Sequence, residues 1–366
     1  MGSTSPIPPP CDTIGGTYIP PSVDRPAILS GASHTHFSPV PPSLQPNDSH
    51  PEGRPCFLGV DEAGRGPVLG PMVYGVFYVP EEDEDSLLRT KYHFDDSKVL
   101  KADVRSSLMR TLCAPEAEGA AEGTADTDLR DSCGWATAAL SARDISGGML
   151  RPSSAAYNLN SQALDATVEL IRGVYARGVN VKHIYVDTVG PPAAHQARLQ
   201  RFFPQARITV TKKADSLFPC VSAASVCAKV TRDAALEVLH QAVHAVSQVE
   251  HGAGHGAGHG ADDVPMAWGS GYPSDARCVS WLKLNMHPFF GWGPECRFSW
   301  GTARDMIESA KSGSNTVKVD WPVDDDEDEQ TIRMTDYFAA PGASPKDSDE
   351  DGVGAWFGTS TGLEAF

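Results

Sequence analysis

The sequence predicts an α/β fold with a mixed central sheet, followed by a small C-terminal helical subdomain. Three observations carry that prediction. Short runs rich in β-branched and aromatic residues alternate with segments whose apolar residues recur at helical spacing. Three strand-like runs lead into carboxylates, at Asp61-Glu62, Asp187 and Asp215, and strand ends are where α/β sheets build their sites. After a His/Gly-rich stretch, helical patterning resumes around Trp281 and Met306.

The elements follow in order. Residues 57–60 are a short apolar run ending in Asp61-Glu62, and Gly64, Gly66 and Pro67 mark a turn. Residues 71–79 (PMVYGVFYV) read as the next strand. Leu164, Val168, Ile171 and Tyr175 fall on one helical face, with Ser161 as the expected cap and Gly178 as the stop. Residues 183–187 (HIYVD) form another strand ending in an acid, and a further strand opens at Ile208 and runs toward Asp215. A long helix is expected over about 221–249.

Composition divides the chain. Residues 1–53, rich in Pro, Ser and Gly, read as a disordered leader, and 54–250 as the catalytic core with an acidic insertion at 115–131. Residues 251–263 read as a His/Gly linker, 264–312 as the helical subdomain and 313–366 as an acidic tail that docks partners. The net charge of −17 sits mainly in these peripheral segments; the tail alone holds thirteen acidic against three basic residues. A near-neutral core does not exclude a polyanionic substrate. No run is long and apolar enough to span a bilayer, and residues 1–12 lack a basic start and an apolar stretch, so neither membrane nor secretion is expected. Eight cysteines form no Cys-x-x-Cys pair, which argues against a zinc framework and for reduced thiols in the cytosol or nucleus.

Clustered carboxylates repel one another and are costly to bury unpaired. Hard divalent cations relieve that cost, Mg²⁺ being the usual one, and four carboxylates suit two ions flanking a phosphodiester. Taken singly, an aspartate at a strand end is more commonly a turn former or helix cap. Successive strand side chains also point to opposite faces, so Glu62 joins Asp61 only if the strand ends at Asp61. The loop at 61–67 (DEAGRGP) adds two glycines that let a backbone approach a sugar-phosphate chain closely.

Residues 59–67 (GVDEAGRGP) resemble the signature of type 2 ribonucleases H. Further blocks are similar to that family in the same order: DSK at 96–98, YNLN at 157–160, VDTVG at 186–190, KAD at 213–215, VSAASVCAKVTRD at 221–233, GSGYPS at 269–274 and RFSW at 297–300. The resemblance spans about 54–310. It implies a ribonuclease H-like fold and four metal-binding catalytic acids, Asp61, Glu62, Asp187 and Asp215, holding two divalent ions, Mg²⁺ with Mn²⁺ as an alternative. It also implies that Gly64, Arg65, Gly66 and Tyr272 read the ribose 2′-hydroxyl at an RNA–DNA junction. The implied reaction cuts RNA in hybrids, and 5′ of single ribonucleotides in duplex DNA, leaving a 3′-hydroxyl and a 5′-phosphate. The form resembles the eukaryotic, nuclear members, whose catalytic chain assembles with two non-catalytic subunits; the cytoplasm is a second expected location.

Lys98, Asn158 and Asn160 are candidate phosphate contacts, which would position a substrate without specifying it. One of Lys229, Arg232 and Asp233 is expected to support the site. His251, His255 and His259 recur every four residues, but the intervening glycines favour a linker over a metal-binding helix. Trp281, Phe289, Phe290 and Trp292 are expected to pack the subdomain, and Cys220 and Cys227 to be small core residues. Residues 331–338 faintly resemble a sliding-clamp-binding box with its Gln displaced, and partner docking is the preferred reading there. A non-catalytic nucleic-acid-binding scaffold is the alternative function, which the intact acid quartet disfavours; a resolvase-like nuclease would not need the Gly-Arg-Gly loop or Tyr272.

Overall fold

In this computed structural model the described residues are 13–14, 17–94, 100–113, 129–152, 157–250 and 268–309, with side chains of Ile14 and 244–250 left aside. The candidate Lys98, the histidines 251, 255 and 259 and the whole acidic tail lie outside them. The strands are β1 (Thr13–Ile14), β2 (Thr17–Tyr18), β3 (His34–Phe37), β4 (Cys56–Ala63), β5 (Met72–Pro80), β6 (Gly134–Leu140), β7 (Val181–Asp187) and β8 (Arg207–Thr211). The helices are α1 (Arg25–Leu29), α2 (Ala102–Cys113), α3 (Leu129–Ser132), α4 (Ala142–Met149), α5 (Leu159–Ala176), α6 (Pro192–Phe202), α7 (Pro219–Glu250), α8 (Ala276–Leu284) and α9 (Gly301–Ser309).

Six strands form one mixed sheet in the order β3-β6-β5-β4-β7-β8. β4 pairs antiparallel with β5 and parallel with β7, and β7 runs parallel with β8. β4, β7 and β8 therefore end on the same side, and their carboxyl ends deliver the acidic residues there. Every residue of β5 is buried, as a strand with both faces covered requires.

One face packs Leu58, Val60, Val76, Ile184 and Ile208 against Ile171 of α5 and Leu199 of α6. The other packs Phe77, Val79 and Trp135 against Val226 of α7 and Met109 of α2. Helix α7 lies flush on the sheet because β4 and β5 present glycines to it. A Cβ on Gly59 would sit 2.3 Å from the Cys220 carbonyl, and one on Gly75 2.5 Å from the Ala224 carbonyl.

The leader expectation is corrected by β3, which pairs with β6 through four residues. Tyr18 and Leu44 are buried as well, at 1% and 0% exposure. Residues 17–53 thus belong to the folded body; they bury apolar groups that their Pro/Ser-rich composition hides. The insertion ends earlier than 131 too, since Leu129 is fully buried at the start of α3. The expected subdomain is not separate: Val68, Leu69, Ile28, Leu236, Trp268, Trp281 and Ala303 share one core. Phe289 and Phe290, expected to pack, are exposed at 62% and 78%, while Trp281 and Trp292 are buried.

Candidate active site

Strand β4 continues through Glu62 to Ala63, so the expected ending at Asp61 does not occur. Asp61 points to the α7 face, where it is 6% exposed and the Ser225 hydroxyl hydrogen-bonds its carboxylate. Its other oxygen contact is the Glu62 N–H, at 2.7 Å. Glu62, one residue on, sits across from Tyr74 of β5. The two carboxylates still sense each other through the edge of the strand. Burial raises the Asp61 pKa well above the usual carboxylate range, and the charges of Glu62 and then Asp187 raise it further.

Asp187 closes β7, and its Oδ1 accepts the Ala214 N–H at 2.8 Å. That bond ties the end of β7 to the turn after β8. The turn opens on Lys213 in the left-handed region (φ 58°) and carries Asp215, 4% exposed, in a short 3-10 helix. Asp61, Glu62 and Asp187 are thus electrostatically linked, and Asp215 is joined to them through the Ala214 backbone. The acids are neighbours, not a finished cage: among the described residues no three His, Cys, Asp or Glu side chains stand together as ion ligands. Carboxylates facing one another without a cation repel and stay apart. The donors are all oxygens, one of them a desolvated carboxylate, which fits hard divalent cations and not zinc-type chemistry.

The loop after β4 stands beside these acids. Gly64 adopts φ +79°, a conformation open to glycine and strained for other residues, and a Cβ there would meet the Pro71 carbonyl at 2.9 Å and Arg232 Nε at 3.0 Å. A Cβ on Gly66 would lie 3.2 Å from the Tyr272 ring, so that ring rests on the glycine. Tyr272 is 39% exposed. Arg65 donates to the Tyr74 hydroxyl at 3.4 Å and to Asn160 Oδ1. Burial, then the Glu62 charge, pushes the Tyr74 hydroxyl pKa far up, so it stays protonated.

The two asparagines separate. Asn160 holds Arg65, whereas Asn158 caps α5, accepting the Ser161 N–H at 2.9 Å. Asn158 therefore replaces Ser161 as the cap; Ser161 supplies the N–H that is capped. Of the α7 trio, Arg232 does the bracing. Only 2% exposed, it packs on Gly64 and donates to the Ser270 carbonyl at 3.0 Å. Lys229 pairs with Asp233 at 2.7 Å.

Sequence reasoning did not single out Ser225 or His195. His195 Nδ1 lies 3.4 Å from the Thr188 hydroxyl, and burial followed by the charges of Arg198 and Arg65 lowers its pKa. Neither residue carries a local sequence signal, because each is brought in by a helix crossing the sheet end. Arg297 and Trp300 lay within a recognised block, but nothing local revealed that they reach the Gly64–Gly66 loop.

Comparison with known proteins agrees with this geometry. The family model described as Ribonuclease HII matches residues 58–264. A curated ribonuclease H2 chain of Neurospora crassa is 55% identical over 96% of this chain and 98% of its own length. The Homo sapiens protein of the same name is 40% identical over 80% and 85% respectively. Among solved structures, the ribonuclease H2 of Pyrococcus horikoshii OT3 superposes with a TM-score of 0.50 at 26% identity, covering 70% of this chain and 99% of that one. The mixed sheet with helices on both faces is a ribonuclease H-like fold, and the chain, an endoribonuclease of the ribonuclease H type, belongs to the ribonuclease HII family.

Proposed function

We propose that this chain is the catalytic subunit of a type 2 ribonuclease H that hydrolyses RNA in RNA–DNA hybrids and cuts 5′ of single ribonucleotides in duplex DNA. The products are a 3′-hydroxyl and a 5′-phosphate. The observation that carries the reading is one adjacency: the desolvated Asp61 carboxylate, charged against by Glu62 and Asp187, lies next to a glycine loop that rests on Tyr272.

In this reading Asp61, Glu62, Asp187 and Asp215 hold two divalent cations, Mg²⁺ with Mn²⁺ as a substitute. Bound there, such ions activate a water and stabilise the leaving 3′-oxygen. The rest falls to the protein. Ser225 and the Glu62 N–H fix the Asp61 carboxylate, and the Ala214 N–H fixes that of Asp187. The Gly64-Arg65-Gly66 backbone and the Tyr272 ring receive the ribose bearing the 2′-hydroxyl, which separates RNA from DNA. Asn160 and Tyr74 hold the Arg65 guanidinium toward the phosphate chain.

The biological role inferred is removal of misplaced ribonucleotides and RNA primers, in the nucleus. The relatives are named as one lettered chain of a multi-chain enzyme, which supports assembly with two non-catalytic subunits; the tail at 313–366 is the segment proposed to dock them, in preference to a sliding clamp. The test is turnover in Mg²⁺ of a duplex containing one ribonucleotide against the same duplex in all DNA. Cutting of the first alone is expected. Equal cutting of both, or of neither, contradicts the proposal.

A further inference from the structure

The loop after β4 has its carbonyls and its N–H groups sorted to different sides. Arg297 donates from Nη2 to the Gly64 carbonyl at 2.7 Å, from Nη1 to the Arg65 carbonyl at 3.0 Å and from Nε to the Gly70 carbonyl at 3.0 Å. The Trp300 indole N–H donates to the Gly66 carbonyl at 3.0 Å. Three consecutive carbonyls are thus taken by two side chains 232 to 234 positions away. For the N–H groups of Gly64, Arg65 and Gly66, no hydrogen-bond partner is found among the described residues.

The arrangement is costly in a way that packing does not explain. Arg297 is fully buried, and the groups acting on it are Arg232, Tyr272, Cys296 and Arg65, with no carboxylate among them. Burial brings its pKa down to about 9. A buried cation without a counter-charge is a burden on stability. What it gains is geometry: a planar fork with fixed donor angles locks the carbonyls it binds. Its guanidinium lies 4.7 Å from the Trp300 ring centre, so the two side chains brace each other. The backbone repeats the connection. The Arg297 N–H donates to the Val68 carbonyl at 2.8 Å, while the Val68 N–H donates to the Gly271 carbonyl at 2.9 Å, next to Tyr272.

We propose that Arg297 and Trp300 are positioning residues for the Gly64-Arg65-Gly66 loop: they hold its carbonyls inward and so leave its N–H groups facing the ribose 2′-hydroxyl. This rests on the proposed reading of that loop. It also gives the C-terminal segment a task in the reaction, since residues 268–300 supply both the clamp and Tyr272.

The experiment compares wild type, Trp300→Phe and Arg297→Lys in the full chain, purified from its own cells with the chains that accompany it. Melting temperature, kcat and KM are measured on a duplex carrying one ribonucleotide, and binding on the all-DNA duplex. Trp300→Phe keeps the ring and removes one donor; it melts like wild type and loses about tenfold in kcat, with KM held within about twofold. Arg297→Lys keeps charge but cannot span three carbonyls, and loses about a hundredfold in kcat. Binding of the all-DNA duplex is unchanged in both. If Arg297→Lys does not fold, Trp300→Phe still decides. Variants that turn over like wild type, or whose activity falls only with the folded fraction, overturn the clamp alone. A wild type that ignores the ribonucleotide overturns the reading of the loop and the clamp with it.

Discussion

Asp61 is a residue whose chemistry and stability pull in opposite directions. Its carboxylate is buried beside two others and its pKa is raised by desolvation first and by their charges second. A carboxylate with a raised folded pKa gives its full stability at low pH, when protonated in both states, and loses it as pH rises above the usual carboxylate range. At neutral pH without divalent metal, Asp61→Asn should therefore melt higher than wild type, by about 1 kcal/mol or more, while cutting nothing. Thermal melts in chelator check it; a variant that is less stable would show that the acid serves the fold. Asn158 is the opposite case. As the cap of α5, its loss in Asn158→Ala should cost about 1 kcal/mol of stability and leave kcat unchanged. A large fall in activity with an unchanged melt would restore the phosphate-contact reading.

At the scale of elements, the edge strand β3 carries a pH sensitivity. His36 stacks on Trp135 of β6 with ring centres 4.9 Å apart, and burial, then the nearby His34, lowers its pKa to about 4. A histidine with a depressed folded pKa gives full stability above its ordinary value of 6.5 and loses it as pH falls from there toward 4. Since the ring is partly open to solvent, the loss is expected to be no more than about 1–2 kcal/mol. Denaturant melts at pH 7 and pH 5 should show a smaller drop for His36→Phe than for wild type; equal drops would mean that His36 is not the group responsible. β3 was not legible in the sequence. Four residues, HTHF, carry no clear alternation, and their partners in β6 lie about a hundred positions on. β5, β7 and β8 were legible because β-branched and aromatic runs buried in a sheet mark themselves locally.

For the whole molecule, the sequence motifs located the chemistry better than periodicity located the chain's boundaries. The acids and the glycine loop lie in contiguous blocks at strand ends, so a single pass along the chain finds them. What was missed is long-range: Ser225 under Asp61, the Arg232 brace on Gly64, and the Arg297 and Trp300 grip on the loop. Each depends on which helix or segment crosses the sheet end, and no local pattern encodes that. The folding of residues 17–53 onto the body was missed for the same reason, since the few buried side chains that anchor it are diluted among prolines and serines.

One site is proposed both to hydrolyse a phosphodiester and to select it by a neighbouring 2′-hydroxyl. Mapping the cut in a duplex bearing a single ribonucleotide, in Mg²⁺ and with Asp61→Asn as control, tests both halves at once. One cut is expected, immediately 5′ of the ribonucleotide, with a 3′-hydroxyl end, absent in the variant. Binding without cleavage, or cuts placed without regard to the ribonucleotide, would contradict it.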